Sequence, residues 1–535
     1  MAMEVHRKWE GSEQERHVIE KEKQRIEKEN DILREQIRLL RQKLYGRKTE
    51  KLDISPEEMR LLFSDWEPEA PAEDNKPQEI KVEAHTRAKT GRKPIPDHLE
   101  RVEVHHDLTD EEKVCDCGAT LSLMGTEQSE ELDYVLARNR VLLHIRHKYT
   151  CKSCQGVDSE GPTVKIAPPP VKILQKSIAS SDLLAHIFVS KFCDALPFYR
   201  QSGMFARDGI EISRASMCNW AIGVAERCWP LMEALIREMR TGPVIYLDET
   251  TIQVLDEDGG QGSAKRKGNS KSYMWLGRGG PPDKPSIYFH YDPSRSGKIA
   301  KALLSDYRGA VQTDGYPGYN FLDKQAGIIH VGCWAHVRRK FVETIKSAGG
   351  KHGNGLADQA LVMIRELYKV EKDIETEQLA GDAIVAVRTE KAEPVVKKIK
   401  SWLDDNVIKT LPKSSLGVAM RYALKEWPKL TTYLKDPRLR PDNNLAENAI
   451  RPFVVGRKNW LFSQSSEGAQ TCAFFYSLIE TAKVNGIEPR SYLCALFKRY
   501  PLANSPMDIK ALLPQHIDRS AVKPYTPQPN GKKKR

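Results

Sequence analysis

Three acidic residues in separate parts of the chain have the character of metal ligands. Asp248 lies in the segment YLDET, Asp314 in QTDGY and Glu447 in DNNLAEN. Mg²⁺ prefers hard oxygen ligands, and two such ions about 3.5–4 Å apart promote in-line displacement at phosphorus. If the fold brings these carboxylates together, the set predicts metal-dependent phosphodiester chemistry.

Each aspartate also has a structural interpretation. Asp248 could be a surface charge at the end of a strand, and Asp314-Gly315 is a common turn pair. Glu249 competes with Asp248, because adjacent residues of a strand face opposite sides and only one of them can enter a given site. The residues alone leave these alternatives open.

The context of Glu447 favours two interpretations. Asn444 as N-cap with Glu447 three residues later is close to a capping box, and Glu447 could pair with Arg451 four residues on. The basic stretch from Arg451 to Lys458 instead favours a phosphate-handling surface. Pro452 is expected to end or kink this helix.

The elements that must position these residues follow from periodicity. Strands are predicted over 244–255, 272–276, 286–291, 310–313 and 328–332, with helices over 298–307 and 335–346. The first three strands are expected to form an antiparallel meander. This order predicts an α/β fold with a ribonuclease-H-like core, in which Asp248 and Asp314 lie side by side at the ends of the first and fourth strands.

A basic helix follows the last of these strands. Cys333 and His336 have the spacing C-x-x-H, but no second pair lies nearby in sequence. We interpret them as the start of this helix, with His336 as a hydrogen-bonded structural histidine and a proton shuttle as the alternative. The residues expected to bind DNA are Arg338, Arg339, Lys340, Arg451 and Lys458.

The N-terminal segment carries a heptad repeat. One row of the repeat is Ile19, Ile26, Leu33 and Leu40, and the other is Lys23, Asn30, Ile37 and Leu44. The pattern predicts a coiled coil in which Asn30 at a core a position favours a parallel homodimer. The alternative is a single amphipathic helix lying on its own protein.

Four cysteines form two close pairs. They are Cys115, Cys117, Cys151 and Cys154. Tetrahedral Zn²⁺ takes four soft ligands, so the pattern predicts a structural zinc ribbon. The alternatives are four unrelated thiols, or a histidine in place of one thiolate; the histidine candidates are His105, His106 and His147.

Two helices with a short break are predicted between the cysteines and the first strand. A helix over 199–207 is followed by Asp208-Gly209-Ile210, and Ser213 is a predicted N-cap for a helix through Arg227. The pattern is typical of a helix-turn-helix that binds DNA. A plain helical hairpin has the same pattern.

Composition narrows the class of protein. The chain has 535 residues and a net charge of +11, which mildly favours a polyanionic partner. It has no apolar run of membrane-spanning length and no export signal, so we expect a cytoplasmic, nucleoid-associated protein with reduced thiols.

The expected domains are a coiled coil (1–52), a linker (53–100), a zinc ribbon (101–165), a helical DNA-binding region (170–240), a catalytic core (241–485) with a helical insertion (350–440), and a C-terminal segment with a basic tail (486–535).

Several motifs together carry a family resemblance that runs nearly end to end. They are LYGRKTEK (44–51), GRKPIP (91–96), LPFYRQ (196–201), TDGY (313–316), GCWAHVRRKF (332–341), NNLAENAIRP (443–452) and TAKVNG (481–486), with YLDET and the cysteine ribbon. With these the chain resembles the transposases of the insertion sequence 66 family, which are DDE enzymes. The first cysteine pair, C-x-C, is closer than the family's usual spacing.

The resemblance implies that Asp248, Asp314 and Glu447 are the metal-binding triad, with Asp248 preferred to Glu249. It implies a helical insertion before Glu447, two Mg²⁺ ions that Mn²⁺ can replace, and a structural Zn²⁺. The expected substrates are terminal inverted repeats and target DNA, with accessory proteins encoded by the same element as partners.

The expected function is therefore DNA cleavage at element ends followed by strand transfer. One alternative is a non-catalytic dimeric DNA-binding regulator with a decayed nuclease core. Another is a nuclease that cuts but does not join.

Overall fold

The computed structural model describes a large part of the chain. The described residues are 141–145, 147–150, 164–166, 169–175, 177–257, 266–267, 271–347 and 355–525. The predicted coiled coil, the linker and the four ribbon cysteines lie outside them. The chain forms two compact units, Ala70–Lys172 and a larger one of Met1–Glu69 with Ile173–Arg535.

Two short strands are described in the smaller unit. Strand β1 (Lys148–Thr150) pairs antiparallel with β2 (Val164–Ile166). Such a two-stranded ribbon is marginally stable without further support.

Four helices begin the described part of the larger unit. They are α1 (Ser181–Phe192), α2 (Phe198–Arg207), α3 (Arg214–Arg227) and α4 (Pro230–Met239). Ser213 caps α3, because its hydroxyl accepts a 3.0 Å hydrogen bond from the Ser216 amide. The predicted helices and their break are therefore confirmed, whereas DNA binding by this pair remains a prediction.

A mixed sheet forms the centre of the larger unit. Its path is β6–β5–β3–β7–β8, antiparallel among β6, β5 and β3, and parallel among β3, β7 and β8. The strands are β3 (Val244–Glu257), β4 (Arg266–Lys267), β5 (Lys271–Gly279), β6 (Ser286–Asp292), β7 (Gly309–Gln312), β8 (Ile328–Val331) and β9 (Ser463–Ser465). The predicted meander and the two later strands are confirmed.

Helices connect and cover the strands. Helix α5 (Gly297–Leu303) joins β6 to β7, and α6 (Trp334–Ser347) follows β8. The later helices are α7 (Leu356–Thr376), α8 (Asp382–Val387), α9 (Glu393–Val407), α10 (Ser415–Leu430), α11 (Asn444–Trp460), α12 (Ser466–Val484), α13 (Pro489–Arg499) and α14 (Pro506–Ala511). None of the described helices combines the length and apolar character needed to cross a bilayer.

Helix α12 protects the edge of the sheet at β6. The Thr481 hydroxyl accepts from the Ile287 amide at 2.9 Å, and the Ser477 hydroxyl accepts from the Phe289 amide at 2.8 Å. Unpaired edge amides invite association with other strands, so these side chains remove that hazard.

The helix that carries Glu447 differs from the prediction. Helix α11 continues for eight residues past Pro452, to Trp460. Of the two outcomes expected at Pro452, an end of the helix is therefore wrong, and a kink stays a prediction. Phe453 is fully buried and packs against Phe289, Tyr476 and Trp460. This burial offsets the loss of one helical hydrogen bond at the proline.

Candidate active site

Asp248 lies on β3 just beyond the point where β3 and β7 separate. The last pair between these strands is Tyr246 with Gln312. One Asp248 carboxylate oxygen accepts a 2.8 Å hydrogen bond from the Glu249 amide. Burial, followed by the negative charges of Glu249, Glu447 and Asp314, raises the pKa of Asp248 well above its usual value. The three predicted carboxylates are therefore electrostatic neighbours.

Asp314 follows β7 at the same end of the parallel strands. Its carboxylate accepts from the Tyr316 amide at 2.9 Å, and burial raises its pKa. The next residue, Gly315, donates its amide to the Tyr422 hydroxyl of α10 at 3.1 Å. A Cβ at Gly315 would lie 2.5 Å from the Tyr422 ring, so this glycine permits a close helix approach.

Glu447 enters the site from the first turns of α11. The N-cap is Asn443 rather than Asn444, and no side-chain cap bond is present there, so the capping-box interpretation is wrong. Arg339 of α6 instead donates to Glu447 at 3.1 Å. Burial raises the pKa of Glu447, and the Arg339 charge opposes that shift.

His336 lies between two of the carboxylates. Its Nε2 is 4.0 Å from Asp314 Oδ2, and its Nδ1 is 3.6 Å from Glu447 Oε1. Within the described residues, His336 Nδ1 and Glu447 Oε1 are buried without a hydrogen-bond partner. The His336 ring is therefore only partly hydrogen-bonded, because its Nε2 lies 3.3 Å from Arg339 Nη1 whereas its Nδ1 has no such partner. The C-x-x-H spacing was the sequence signal for its place in the site.

Burial lowers the pKa of His336 to about 3, and the nearby Arg339 and Lys340 charges act in the same direction. A neutral imidazole has a free ring nitrogen, which is the form that ligates metals. His336 also groups with Cys333 and Glu447, with ligand atoms within 4.8 Å of one another. Burial keeps the Cys333 thiol protonated by raising its pKa, and its sulfur accepts a hydrogen bond from the Asn443 amide.

This donor set fits a divalent cation. Three carboxylates with raised pKa values repel one another when ionised, and Glu447 Oε1 and His336 Nδ1 have no hydrogen-bond partner among the described residues. The carboxylate oxygens suit Mg²⁺ or Mn²⁺, whereas the imidazole nitrogen and the thiol are softer donors.

The Glu249 carboxylate is bound by residues outside the predicted triad. Arg295 binds its Oε1 at 2.6 Å, and the Tyr319 hydroxyl donates to its Oε2. The Arg295 guanidinium also lies 3.9 Å from the centre of the Tyr316 ring. These contacts make Glu249 part of a structural ion pair beside the site.

The predicted DNA-binding residues lie in different environments. Arg339 binds Glu447, Arg451 donates to Asn448 at 3.0 Å, and the Lys340 ammonium lies 4.8 Å from the centre of the Tyr422 ring. Arg338 is half-buried, whereas Lys458 is exposed. An exposed lysine is available to a phosphate backbone without breaking an internal contact.

The chain matches four family descriptions in succession. "Transposase IS66 family" matches residues 176–471, which contain all three carboxylates. "Transposase C of IS166 homeodomain" matches 32–104, "zinc-finger binding domain of transposase IS66" matches 112–155, and "IS66 C-terminal element" matches 477–515. The third match contains the four paired cysteines and supports a structural zinc.

Similar proteins include two from Sinorhizobium fredii (strain NBRC 101917 / NGR234). "Uncharacterized protein y4jD" is 30% identical over 491 residues, covering 88% of this chain and 91% of the relative. "Uncharacterized protein y4qI" is 29% identical over 496 residues, covering 89% of this chain and 87% of the relative.

Among solved structures, the chain is similar to "Drosophila P element transposase strand transfer complex". The TM-score is 0.23 at 11% identity, over 64% of this chain and 92% of the other, which is too low to carry an argument. The first family match alone spans more than half of the sequence and includes the whole candidate site. The chain therefore belongs to the IS66 family of transposases.

Proposed function

We propose that this protein is a DDE-type DNA transposase that cleaves DNA at the ends of its element and joins them to target DNA. The observation that carries the proposal is the convergence of Asp248, Asp314 and Glu447, with His336 between Asp314 and Glu447. The order of the central sheet supports a ribonuclease-H-like core, because strands one and four of such a core present neighbouring carboxylates.

The carboxylates would hold two Mg²⁺ ions, for which Mn²⁺ can substitute. When bound, such ions supply an activated attacking oxygen and charge stabilisation at the leaving oxygen. Asp248 and Asp314 offer oxygens from the rigid sheet, and Glu447 offers its oxygen from α11. His336, neutral at physiological pH, adds a nitrogen between Asp314 and Glu447.

The reaction would proceed in two displacements at phosphorus. Water attacks first, which breaks the bond to the 3′ oxygen at the element end and leaves a free 3′-hydroxyl. That hydroxyl then attacks a phosphodiester of target DNA and displaces a second 3′ oxygen. No covalent bond between protein and DNA forms, so no serine or tyrosine nucleophile is assigned.

The remaining segments would organise the DNA. A parallel dimer through residues 1–52 would hold two element ends together, the Cys115, Cys117, Cys151 and Cys154 ribbon would bind Zn²⁺, and α2–α3 would contact DNA. The basic side chains proposed to contact phosphates are Arg338, Arg339, Lys340, Arg451 and Lys458. Accessory proteins encoded by the same element are further proposed partners.

The test is an assay of nicking and strand joining on DNA that carries the cognate terminal repeats, with Mg²⁺ or Mn²⁺. We expect both activities from the wild-type chain and neither from Asp314→Asn, with binding to the ends nearly unchanged. Nicking without joining would indicate a nuclease, and binding without nicking would indicate a regulator.

A further inference from the structure

The helical insertion contains a buried arginine with every donor used. Arg388 is 2% exposed and begins a π-helical turn, Arg388–Ala392, between α8 and α9. Its Nε and Nη2 donate to the two carboxylate oxygens of Glu371 on α7, at 2.8 and 2.7 Å. A bidentate pair of this kind fixes the plane of the guanidinium group.

The other donors of Arg388 bind main-chain carbonyl oxygens. Nη1 donates to Tyr433 at 2.7 Å and to Asp436 at 3.0 Å, and Nη2 donates to Leu439 at 3.0 Å. A guanidinium group has five N–H donors, and together these contacts use all five. Arg388 therefore holds three points of one segment, 433–439, between α10 and α11.

That segment leads directly into the candidate site. After Leu439, the Arg440 carbonyl accepts from the Gln312 side chain and the Pro441 carbonyl accepts from the Trp334 amide, both at 2.9 Å. Glu447 follows in the first turn of α11. The chain before Glu447 is thus held by the insertion on one side and by the sheet and α6 on the other.

The local backbone supports a dedicated role for Arg388. A π-helical turn is rare, which indicates a cost in backbone free energy, and such turns occur frequently at functional sites. A buried arginine also carries a large desolvation cost, which its hydrogen bonds must offset. The unusual turn and the desolvation cost therefore both occur at Arg388, the residue that binds the 433–439 segment.

We propose that Arg388 is a positioning residue for Glu447, which makes the helical insertion part of the construction of the active site. Arg388 acts through the backbone of 433–439 and touches neither substrate nor metal. The inference rests on the proposed function for the role of Glu447 as a ligand. The coupling between Arg388 and the segment that leads to Glu447 can be measured without DNA.

The test compares Arg388→Met with a matched control, Arg240→Met. Arg240 also donates to two carbonyl oxygens, those of Ala302 and Leu303 at 2.9 Å, but the helix end it holds carries no proposed ligand. The readouts are amide hydrogen exchange over 436–447 and Mn²⁺ binding followed by electron paramagnetic resonance, with binding to the element ends as a third measurement.

We expect Arg388→Met to speed exchange over 436–447 and to weaken Mn²⁺ binding about 10- to 100-fold, as loss of a residue that orients a ligand does. Arg240→Met should change neither, and binding to the ends should be unaffected by both. Unchanged exchange over 436–447, or equal effects of the two variants, would overturn the inference.

Two further measurements keep the test decisive. If Arg388→Met does not fold, Arg388→Lys retains the charge beside Glu371 but cannot reach all three carbonyl oxygens, so it should show a smaller effect in the same direction; wild-type exchange would count against the proposal. If the wild-type chain binds no Mn²⁺, the proposed function fails, while the exchange comparison still decides whether Arg388 positions the segment.

Discussion

The side-chain amide of Asn443 donates a 2.8 Å hydrogen bond to the carbonyl oxygen of Leu247. Leu247 immediately precedes Asp248, and Asn443 is the N-cap of the helix that carries Glu447. One buried hydrogen bond thus links the two chain segments that present these carboxylates. It lies where β3 has separated from β7 and the Leu247 carbonyl has no partner strand on that side.

Replacing Asn443 with alanine should disturb both stability and metal binding. The Leu247 carbonyl would lose its partner in a buried environment, which costs about 1–3 kcal/mol. We expect a lower Tm and weaker Mn²⁺ binding. Asn485→Ala is the matched control, because Asn485 makes a similar 2.8 Å bond to the Pro285 carbonyl away from the site. Equal Mn²⁺ affinity in the two variants would contradict the assignment.

Asp248→Asn should stabilise the metal-free protein while abolishing cleavage. The folded-state pKa of Asp248 is raised, so the folded protein binds its proton more tightly than the unfolded chain does. Stability is therefore lost as pH rises from the unfolded-state pKa through the raised value, and the neutral amide avoids that loss. Thermal unfolding of Asp248→Asn with a chelator at pH 7 should show a Tm a few degrees above that of the wild type. Each kcal/mol gained in the free energy of unfolding raises the Tm by roughly 2–4 °C. A lower Tm would show that Asp248 is not under electrostatic strain.

Much of the core could be predicted from the sequence, because a short continuous apolar run such as residues 244–247 is typical of a strand buried on both faces. The site was harder to predict, because its contacts join residues far apart in the chain. The capping pattern at Asn444 and the helix stop at Pro452 are local rules, and both were overridden, by the Asn443–Leu247 bond and by burial of Phe453. Arg388 shows no local signal, since its partners lie 17 to 51 residues away.

Glu249→Gln should retain cleavage, in contrast to Asp248→Asn. The Glu249 carboxylate is occupied by Arg295 and Tyr319, and a glutamine can keep part of these hydrogen bonds. We expect a modest loss of stability and a cleavage rate within about tenfold of wild type, since no ligand is removed. The assay is single-turnover nicking of end DNA with Mg²⁺. Full loss of nicking, with folding retained, would place Glu249 rather than Asp248 among the ligands.

Zinc content tests the four cysteines, which lie outside the described residues. The purified chain should contain one zinc ion per molecule by atomic emission, because two cysteine pairs complete one tetrahedral site. Cys151→Ser should lower the zinc content and destabilise residues 101–165. Cys494→Ser is the control, since Cys494 is a half-buried free thiol, and it should leave zinc unchanged. Full zinc content in Cys151→Ser would remove that residue from the ligand set.

Lys458 should contribute to DNA affinity through charge alone. It is exposed near the end of α11, so Lys458→Ala should preserve the fold and the metal site. Neutralising one phosphate contact reduces the slope of log affinity against log salt by about one, equally for cognate and unrelated DNA. Fluorescence anisotropy over a salt series measures this slope. Lys409→Ala, an exposed lysine outside the predicted set, should leave the slope unchanged. If both variants behave alike, α11 does not follow the DNA backbone, and the phosphate contacts must come from other segments of the chain.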